Sequence, residues 1–496
     1  MASSGVAFGT SGARGLVVDM SDLVCFAYTL GFLQYAARQE NGQTFDRVAV
    51  AYDLRSSSPR IARTVCRAVE YLGLKPIDCG ALPSPALAYY GFAKKIPTVM
   101  VTGSHIPEDR NGIKFTLPGG EILKADEAGI REQTVTVPDE LFDSSGVLSA
   151  EETAKSVASD GGEAKRLYID RFVRALPSDF LAGFRIGFYE HSAVGRDLLC
   201  ELYTKLGASV TRLGRSDTFV SVDTEAVRGE DIVSAKRWAA GDGRTETPRF
   251  DAIVSTDGDS DRPLVFDEHG DWIRGDLTGI ITARFLLADC VVTPVNSSTA
   301  LELCGWFPNV VRTKIGSPYV VEAMKKAVAQ GAERVVGYEA NGGFLTATPI
   351  LIDEEYLHPL SALPTRDTVI VLIAVLLMSK KNGVPISMLI DHLPHRITAG
   401  DRLNDFPADL AQRKMEELLL GGRETIEPTF AAFGELTGMD TTDGLRMTFG
   451  DTGDIVHLRP SGNAPEFRCY TEADTVRRAQ WLLGKALDIV AQWRLG

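Results

Sequence analysis

The chain has 496 residues, 44% hydrophobic and 24% charged, with a formal net charge of −14; it is too long for one core, and three or four globular domains are expected. The negative balance argues against general nucleic-acid binding, which needs a basic surface to displace counterions from phosphates, and any site for an anion must therefore be locally basic. Seven cysteines (Cys25, Cys66, Cys79, Cys200, Cys290, Cys304, Cys469) are scattered and never spaced as C-x-x-C, so neither a disulfide framework nor a zinc site is indicated and a reducing cytoplasm is the natural setting. The opening MASSGVAFGTSGARG has no basic segment before an apolar core. The longest apolar run, 369–378, is about half of a bilayer crossing and reads better as a buried helix.

From the start to about residue 385, β-branched segments alternate with segments of helical period, the pattern of α/β layers. One unit of strand, polar loop and helix recurs: VAVAYDLRSSSPRIARTVCRAVEYLG from Val48, FRIGFYEHSAVGRDLLCELYTKLG from Phe184 and, more weakly, CVVTPVNSSTALELCGWF from Cys290. The first two close at Gly73 and Gly207, where a residue free to take positive φ ends the helix. Three related α/β domains in series are expected. In PTVMVTGSHIPEDRNGIKF an apolar strand, 97–101, runs into Thr102, Gly103 and Ser104. Glycine beside serine lets the hydroxyl stand clear, as a nucleophile requires, although a turn or helix cap has the same composition. The stretch 151–162, rich in Ala, Ser, Glu and Gly, reads as a linker.

In AIVSTDGDSDRPLVF, Asp257, Asp259 and Asp261 stand at alternate positions with Arg262 next. Alternate residues of an extended chain project to one side, so the carboxylates repel unless a cation joins them, and few oxygen ligands suit Mg²⁺. A calcium-binding helical-hairpin loop shares part of this spacing, with Glu268 at its twelfth position, but Arg262 sits where that loop needs glycine; an acidic exposed turn is the plain alternative. The turn-rich 267–275 is a further boundary. RVVGYEANGGF presents Glu339 and Asn341, donors and acceptors suited to sugar hydroxyls, before paired glycines. A helix follows, with Asp367 near its start and Gly383 at its end. From about residue 391 the order changes to a strand near Arg396, a helix over 409–420, two strands in LRMTFGDTGDIVHLRP, another in EFRCYTEA and a last helix from Thr475. Between strands there, Arg459, Ser461, Gly462 and Asn463 combine a guanidinium, a hydroxyl, an amide and free N–H groups, as a phosphate cradle does.

In this order the four loops, with FGTSGARG at 8–15, resemble the α-D-phosphohexomutase superfamily. The resemblance implies three similar α/β domains, 1–155, 163–268 and 272–388, plus a C-terminal α+β domain of TATA-binding-protein-like topology, 391–496, around a central cleft. It implies that Ser104 carries a phosphoryl group and that Asp257, Asp259, Asp261 and that phosphoserine hold Mg²⁺. Arg14, His105 and Lys114 match positions near the phosphoserine; Arg262 adds positive charge. Glu339 and Asn341 match the sugar loop, and Arg459, Ser461, Gly462 and Asn463 the loop for the phosphate that is not transferred. Gly103 stands where the family commonly has Ala, Ile106 where it has Asn, Ser260 where it often has Gly, and Asn463-Ala464-Pro465 where it often has Thr-Glu-Pro.

GYEANGGF and TGSHIPEDRNGIKF look most similar to bacterial phosphomannomutases. The expected activity is reversible transfer between mannose 6-phosphate and mannose 1-phosphate through phosphoserine and a hexose 1,6-bisphosphate, which also serves as activator. Lys114 is the expected acid or base, a role that needs its pKa depressed; simple pairing with a phosphate is the alternative. A cytoplasmic monomer or homodimer with no nucleic-acid or membrane partner is expected. A phosphoglucomutase or dual-specificity enzyme, a phosphoglucosamine mutase and a metal-dependent phosphatase are the alternatives.

Overall fold

The computed structural model describes residues 4–9, 12–39, 45–241, 249–352, 358–461 and 465–494. Sheets of eight, five, four and five strands follow one another along the chain, with helices interspersed, so the α/β class expected from sequence is found. The chain divides into two compact units, Met1–Val291 with Gly316–Leu389, and Val292–Ile315 with Ile390–Gly496.

In the first unit, the eight-stranded sheet has Thr98–Val101 and Arg47–Tyr52 at its centre, parallel to each other. Val48 to Ala51 are buried without alternation, as expected of a strand covered on both faces. Helix Ser58–Tyr71 packs Ile61, Val65 and Val69 against this sheet at helical spacing and ends before Gly73, whose φ is 73°. The second unit of the sequence repeat forms strand Arg185–His191 and helix Arg196–Lys205, and Gly207 takes φ 95°. One device repeats. Strand Thr98–Val101 returns antiparallel as Arg110–Leu117, Ala252–Thr256 as Pro263–Phe266, and Val335–Tyr338 as Phe344–Thr346, so each of three polar loops hangs from the end of a buried strand.

The expected linker at 151–162 is partly structured: after helix Ala150–Ala154, Ala158–Ser159 pairs in parallel with Lys75–Ala81 and extends the first sheet. Likewise, within 267–275, Trp272–Ile273 pairs back onto Pro263–Phe266 before helix Gly275–Phe285 begins. The longest apolar run lies in helix Thr368–Asn382, where every residue from Val369 to Leu376 is buried. A helix apolar all round must be enclosed all round. Its start is held by Asp367, whose carboxylate accepts the Val369 N–H at 3.1 Å, the Tyr168 hydroxyl at 2.7 Å and the Arg171 guanidinium at 2.5 Å. Among the described residues no helix is long and apolar enough to cross a membrane.

In the second unit an antiparallel sheet runs in the order Ile397–Leu403, Phe467–Ala473, Asp454–Pro460, Leu445–Phe449, Leu436–Asp440. Helices Ala408–Thr429 and Val476–Gln492 cover it through Met415, Leu418, Leu482 and Val490, and Thr475 caps the last. The helix expected at 409–420 therefore runs on past a break at Gly422, and the edge strand Leu436–Asp440 is an addition. All seven cysteines are free.

Asp367→Ala removes the cap and leaves buried Arg171 and Tyr168 without their acceptor. A loss of about 3–5 kcal/mol is expected, read as a lower urea midpoint at unchanged slope.

Candidate active site

Ser104 lies in the first of the three loops with φ 55°, in the left-handed region that residues with a Cβ disfavour by roughly 1–2 kcal/mol. Two features hold it there. The Thr102 hydroxyl accepts the Ser104 N–H at 2.7 Å, and Arg55 donates to the carbonyls of Ser104, Ile106, Pro107 and Arg110. Arg55 is fully buried and pairs at 3.2 Å with Asp53, which also accepts from the hydroxyls of Ser58 and Thr102. Gly103 leaves room for this guanidinium: a Cβ there would lie 2.6 Å from Arg55 Cζ.

The Ser104 hydroxyl donates to Asp257 Oδ2 at 2.6 Å. Asp257, Asp259 and Asp261 are buried, with potential ligand atoms within 4.8 Å of one another. Asp259 Oδ2 accepts from Lys114 Nζ at 2.5 Å and from the Ser84 hydroxyl, and Asp261 Oδ2 from Lys114 at 2.8 Å. The other oxygen of each, Asp259 Oδ1 and Asp261 Oδ1, is buried with no hydrogen-bond partner. Converging carboxylates with orphaned oxygens are what a hard divalent cation requires, so these residues fit one. The loop backbone is braced from the recurring strand–loop–helix unit: His191 Nε2 donates to the Thr256 carbonyl at 2.8 Å, Val194 N–H to Gly258 at 3.0 Å, and Gly195 N–H to Ser260 Oγ at 2.9 Å. Ser260 has φ 59°, which accounts for glycine being suited to this position, and its hydroxyl bonds hold the serine there. At Gly258 a Cβ would come within 2.6 Å of the Ser104 carbonyl oxygen.

Arg14 and Lys114 come from adjacent antiparallel strands, with Gly12 opposite Lys114 and Gly112 opposite Arg14, so both side chains leave the same face. A Cβ at Gly112 would lie 2.8 Å from Arg14 Cγ, which explains the glycine. Arg262 donates to His105 Nδ1 at 2.9 Å, and Ser104 Oγ lies 3.3 Å from the same nitrogen. Burial, then the charges of Arg262 and Arg14, hold His105 well below the ordinary histidine range, so it is neutral with its proton on Nε2. Burial and Arg262 push Arg14 down to about 10. Burial, then Asp259 and Asp261, push Asp257 well above the usual carboxylate range. Burial also opposes the charge on Lys114, but Asp259 and Asp261 outweigh it and its pKa is raised. That rise comes from the same two aspartates that would ligate a cation.

In the third loop Glu339 accepts from Arg366 Nε at 2.5 Å, and Arg366 reaches Asp261 at 3.5 Å, linking the expected sugar and metal loops. Asn341 Oδ1 accepts the Gly343 N–H at 2.9 Å, and its carbonyl accepts from Thr224 at 2.7 Å. In the second unit Arg459 pairs with Asp443 at 2.9 Å and Ser461 N–H donates to Glu466 at 2.9 Å. Gly462 and Asn463 lie outside the described residues. Sequence reasoning missed Asp53, Arg55, Ser84 and Arg366. Asp53 and Arg55 lie in the quoted YDLRSSSPR, where two opposite charges directly after an apolar strand were the available signal.

Two family models match, Phosphoglucomutase/phosphomannomutase alpha/beta/alpha domain I over residues 5–139 and domain III over residues 274–397. A phosphomannomutase of Sinorhizobium fredii is 40% identical over 486 residues, 98% of this chain and 99% of its own. One from Salmonella muenchen is 41% identical over 472 residues, 95% and 93% of the two chains. Among solved structures, a putative phosphomannomutase from Thermus thermophilus shares the fold with a TM-score of 0.72 at 19% identity, covering 98% of this chain and 99% of that chain.

Titration with Mg²⁺ should raise the melting temperature, by the equivalent of about 2.7 kcal/mol at a hundred times Kd; Asp259→Asn and Asp261→Asn should each remove most of that shift and the calorimetric binding signal. His191 gives a pH signature. Burial pushes its imidazole down to about 4, so the unfolded chain takes up a proton below about 6.5 that the folded chain refuses. Its contribution is complete above pH 6.5 and is lost as pH falls from there towards 4, at up to about 1.4 kcal/mol per unit. His191→Gln should flatten that limb of the urea midpoint against pH.

Proposed function

The chain belongs to the phosphoglucomutase/phosphomannomutase family, and from that premise we propose that it interconverts mannose 6-phosphate and mannose 1-phosphate through phosphorylated Ser104 and a hexose 1,6-bisphosphate. The observation that carries the reading is the Ser104 hydroxyl 2.6 Å from Asp257, inside a cluster of three buried carboxylates. Relatives at 40% and 41% identity named phosphomannomutase support mannose as the sugar.

Phosphoryl transfer needs in-line positioning and stabilisation of charge more than covalent chemistry. Asp257, Asp259 and Asp261 are the proposed Mg²⁺ ligands, with phosphorylated Ser104; when bound, the ion polarises phosphoryl oxygens as a Lewis acid. Arg14, Arg262 and Lys114 supply fixed positive charge towards the same oxygens. Lys114, which meets Asp259 and Asp261, is the proposed acid or base for the hydroxyl proton, with pairing to a phosphate as the alternative, and neutral His105 keeps Arg262 aimed beside Ser104. Phosphorylated Ser104 gives its phosphoryl group to a sugar hydroxyl and regains its own hydroxyl; the bisphosphate turns round, and the other phosphoryl group returns to Ser104. Glu339 and Asn341 are assigned to the sugar, and Arg459, Ser461, Gly462 and Asn463 to the phosphate that is not transferred.

We assign one of these loops to each of four domains, 1–155, 163–268, 272–388 and 391–496, in a cytoplasmic monomer or homodimer activated by hexose 1,6-bisphosphate. With Mg²⁺ and catalytic glucose 1,6-bisphosphate, the enzyme should convert mannose 1-phosphate to the 6-phosphate without releasing free phosphate. Ser104→Ala should lower turnover by about a thousandfold or more and abolish the phosphopeptide containing residue 104. Phosphate release without isomerisation, or full turnover of Ser104→Ala, would refute the assignment.

A further inference from the structure

Between strand Ser209–Arg215 and helix Gly229–Ala240 of the first unit runs an irregular segment, 216–228. Thirteen residues without secondary structure inside a compact unit are uncommon and usually functional. This segment is tied down by the loops of the active site. The Phe219 ring lies under the Arg55 guanidinium, 3.9 Å from its carbon to the ring centroid. The Ser221 hydroxyl donates to the carbonyl of His105, next to Ser104. Thr224 donates to the carbonyl of Asn341 at 2.7 Å, in the loop assigned to the sugar. The segment therefore joins the nucleophile's loop to the sugar loop, and the residue after Thr224 is Glu225.

The carboxylates of the aspartate loop and the sugar loop are engaged. Asp257 holds Ser104, Asp259 and Asp261 hold Lys114, and Glu339 holds Arg366. Asp223 accepts the Glu225 N–H at 2.9 Å, which fixes the turn. The Glu225 side chain is half-buried, and its carboxylate makes no hydrogen bond or ion pair with a described residue. Burial pushes it up against the opposing pull of Arg274, and Asp223 and Arg262 act on it next. An anionic acceptor here would repel a phosphate, so the part of a hexose phosphate it suits is a neutral hydroxyl, which it can accept.

Resting on the phosphohexomutase reading, we propose that Glu225 is a further substrate-binding residue, whose carboxylate accepts a ring hydroxyl of the bound hexose phosphate beside the Glu339–Asn341 loop. The mutase assay is run on wild type, Glu225→Gln and Glu225→Asp with mannose 1-phosphate and a panel of its monodeoxy analogues, alongside thermal melting and Mg²⁺ calorimetry. Glu225→Gln should lower kcat/KM for mannose 1-phosphate about ten- to a hundredfold while melting and Mg²⁺ affinity stay at wild-type values. One deoxy analogue should cost wild type a similar factor and cost Glu225→Gln nothing further, because substrate and enzyme variants then delete the same bond. Should Glu225→Gln fail to fold, Glu225→Asp carries the same cycle with a smaller factor. Additive losses for every analogue, or kcat/KM within about twofold of wild type, would overturn the proposal and leave the mutase reading standing. A wild-type enzyme inactive on every hexose phosphate would overturn both.

Discussion

Eight ionisable side chains meet at the centre of the first unit, and the placement of the rest follows from the need to balance them. Asp257, Asp259, Asp261 and Glu339 face Arg14, Lys114, Arg262 and Arg366, with Lys114 spanning two aspartates and Arg366 an aspartate and Glu339. An isolated buried charge would cost several kcal/mol, so none of these groups can move without disturbing its partners. Such a lattice of fixed charge is also preorganised: the phosphate proposed to enter it would meet donors already in place rather than side chains that must be gathered.

Beneath that lattice lies a second, smaller one whose work is mechanical. The Asp53–Arg55 pair makes no hydrogen bond to Asp257, Asp259 or Asp261, yet it fixes four carbonyls in and after the Ser104 loop and thereby the unfavourable backbone of Ser104. Backbone strain of this kind persists only when the surroundings over-determine it. The repeated strand–loop–strand arrangement supplies the rest: three loops of different chemistry are presented at equivalent ends of buried strands.

Elements carried by period and punctuation were legible in the sequence. Gly73, Gly207 and Gly383 ended helices as their conformational freedom suggested, and Asp367 and Thr475 capped the helices they precede. What escaped was set by tertiary pairing. Ala158–Ser159 looks like linker by composition and becomes a strand only because Lys75–Ala81 offers it an edge, while LTGMD at Leu436–Asp440 carries a glycine and little apolar alternation. At the site, motifs dense in chemistry, such as the alternating aspartates, could be read directly. Arg366 and Ser84 could not, because each acts on a loop distant in sequence; Ser84 meets Asp259 across 175 residues.

The second unit takes Val292–Ile315 from the middle of the chain and resumes at Ile390. In its core, buried Glu472 receives Arg396 at 2.6 Å from the later part and the N–H and hydroxyl of Thr299 from the earlier part. No single cleavage of the chain can therefore release this unit whole. A fragment beginning at residue 390 would strip Glu472 of its bonds to Thr299, and one ending at 389 would strand the segment that makes them. During synthesis the same arrangement imposes an order, since Thr299 must wait 173 residues for its acceptor to emerge, and the second unit cannot close before Glu472 has been made.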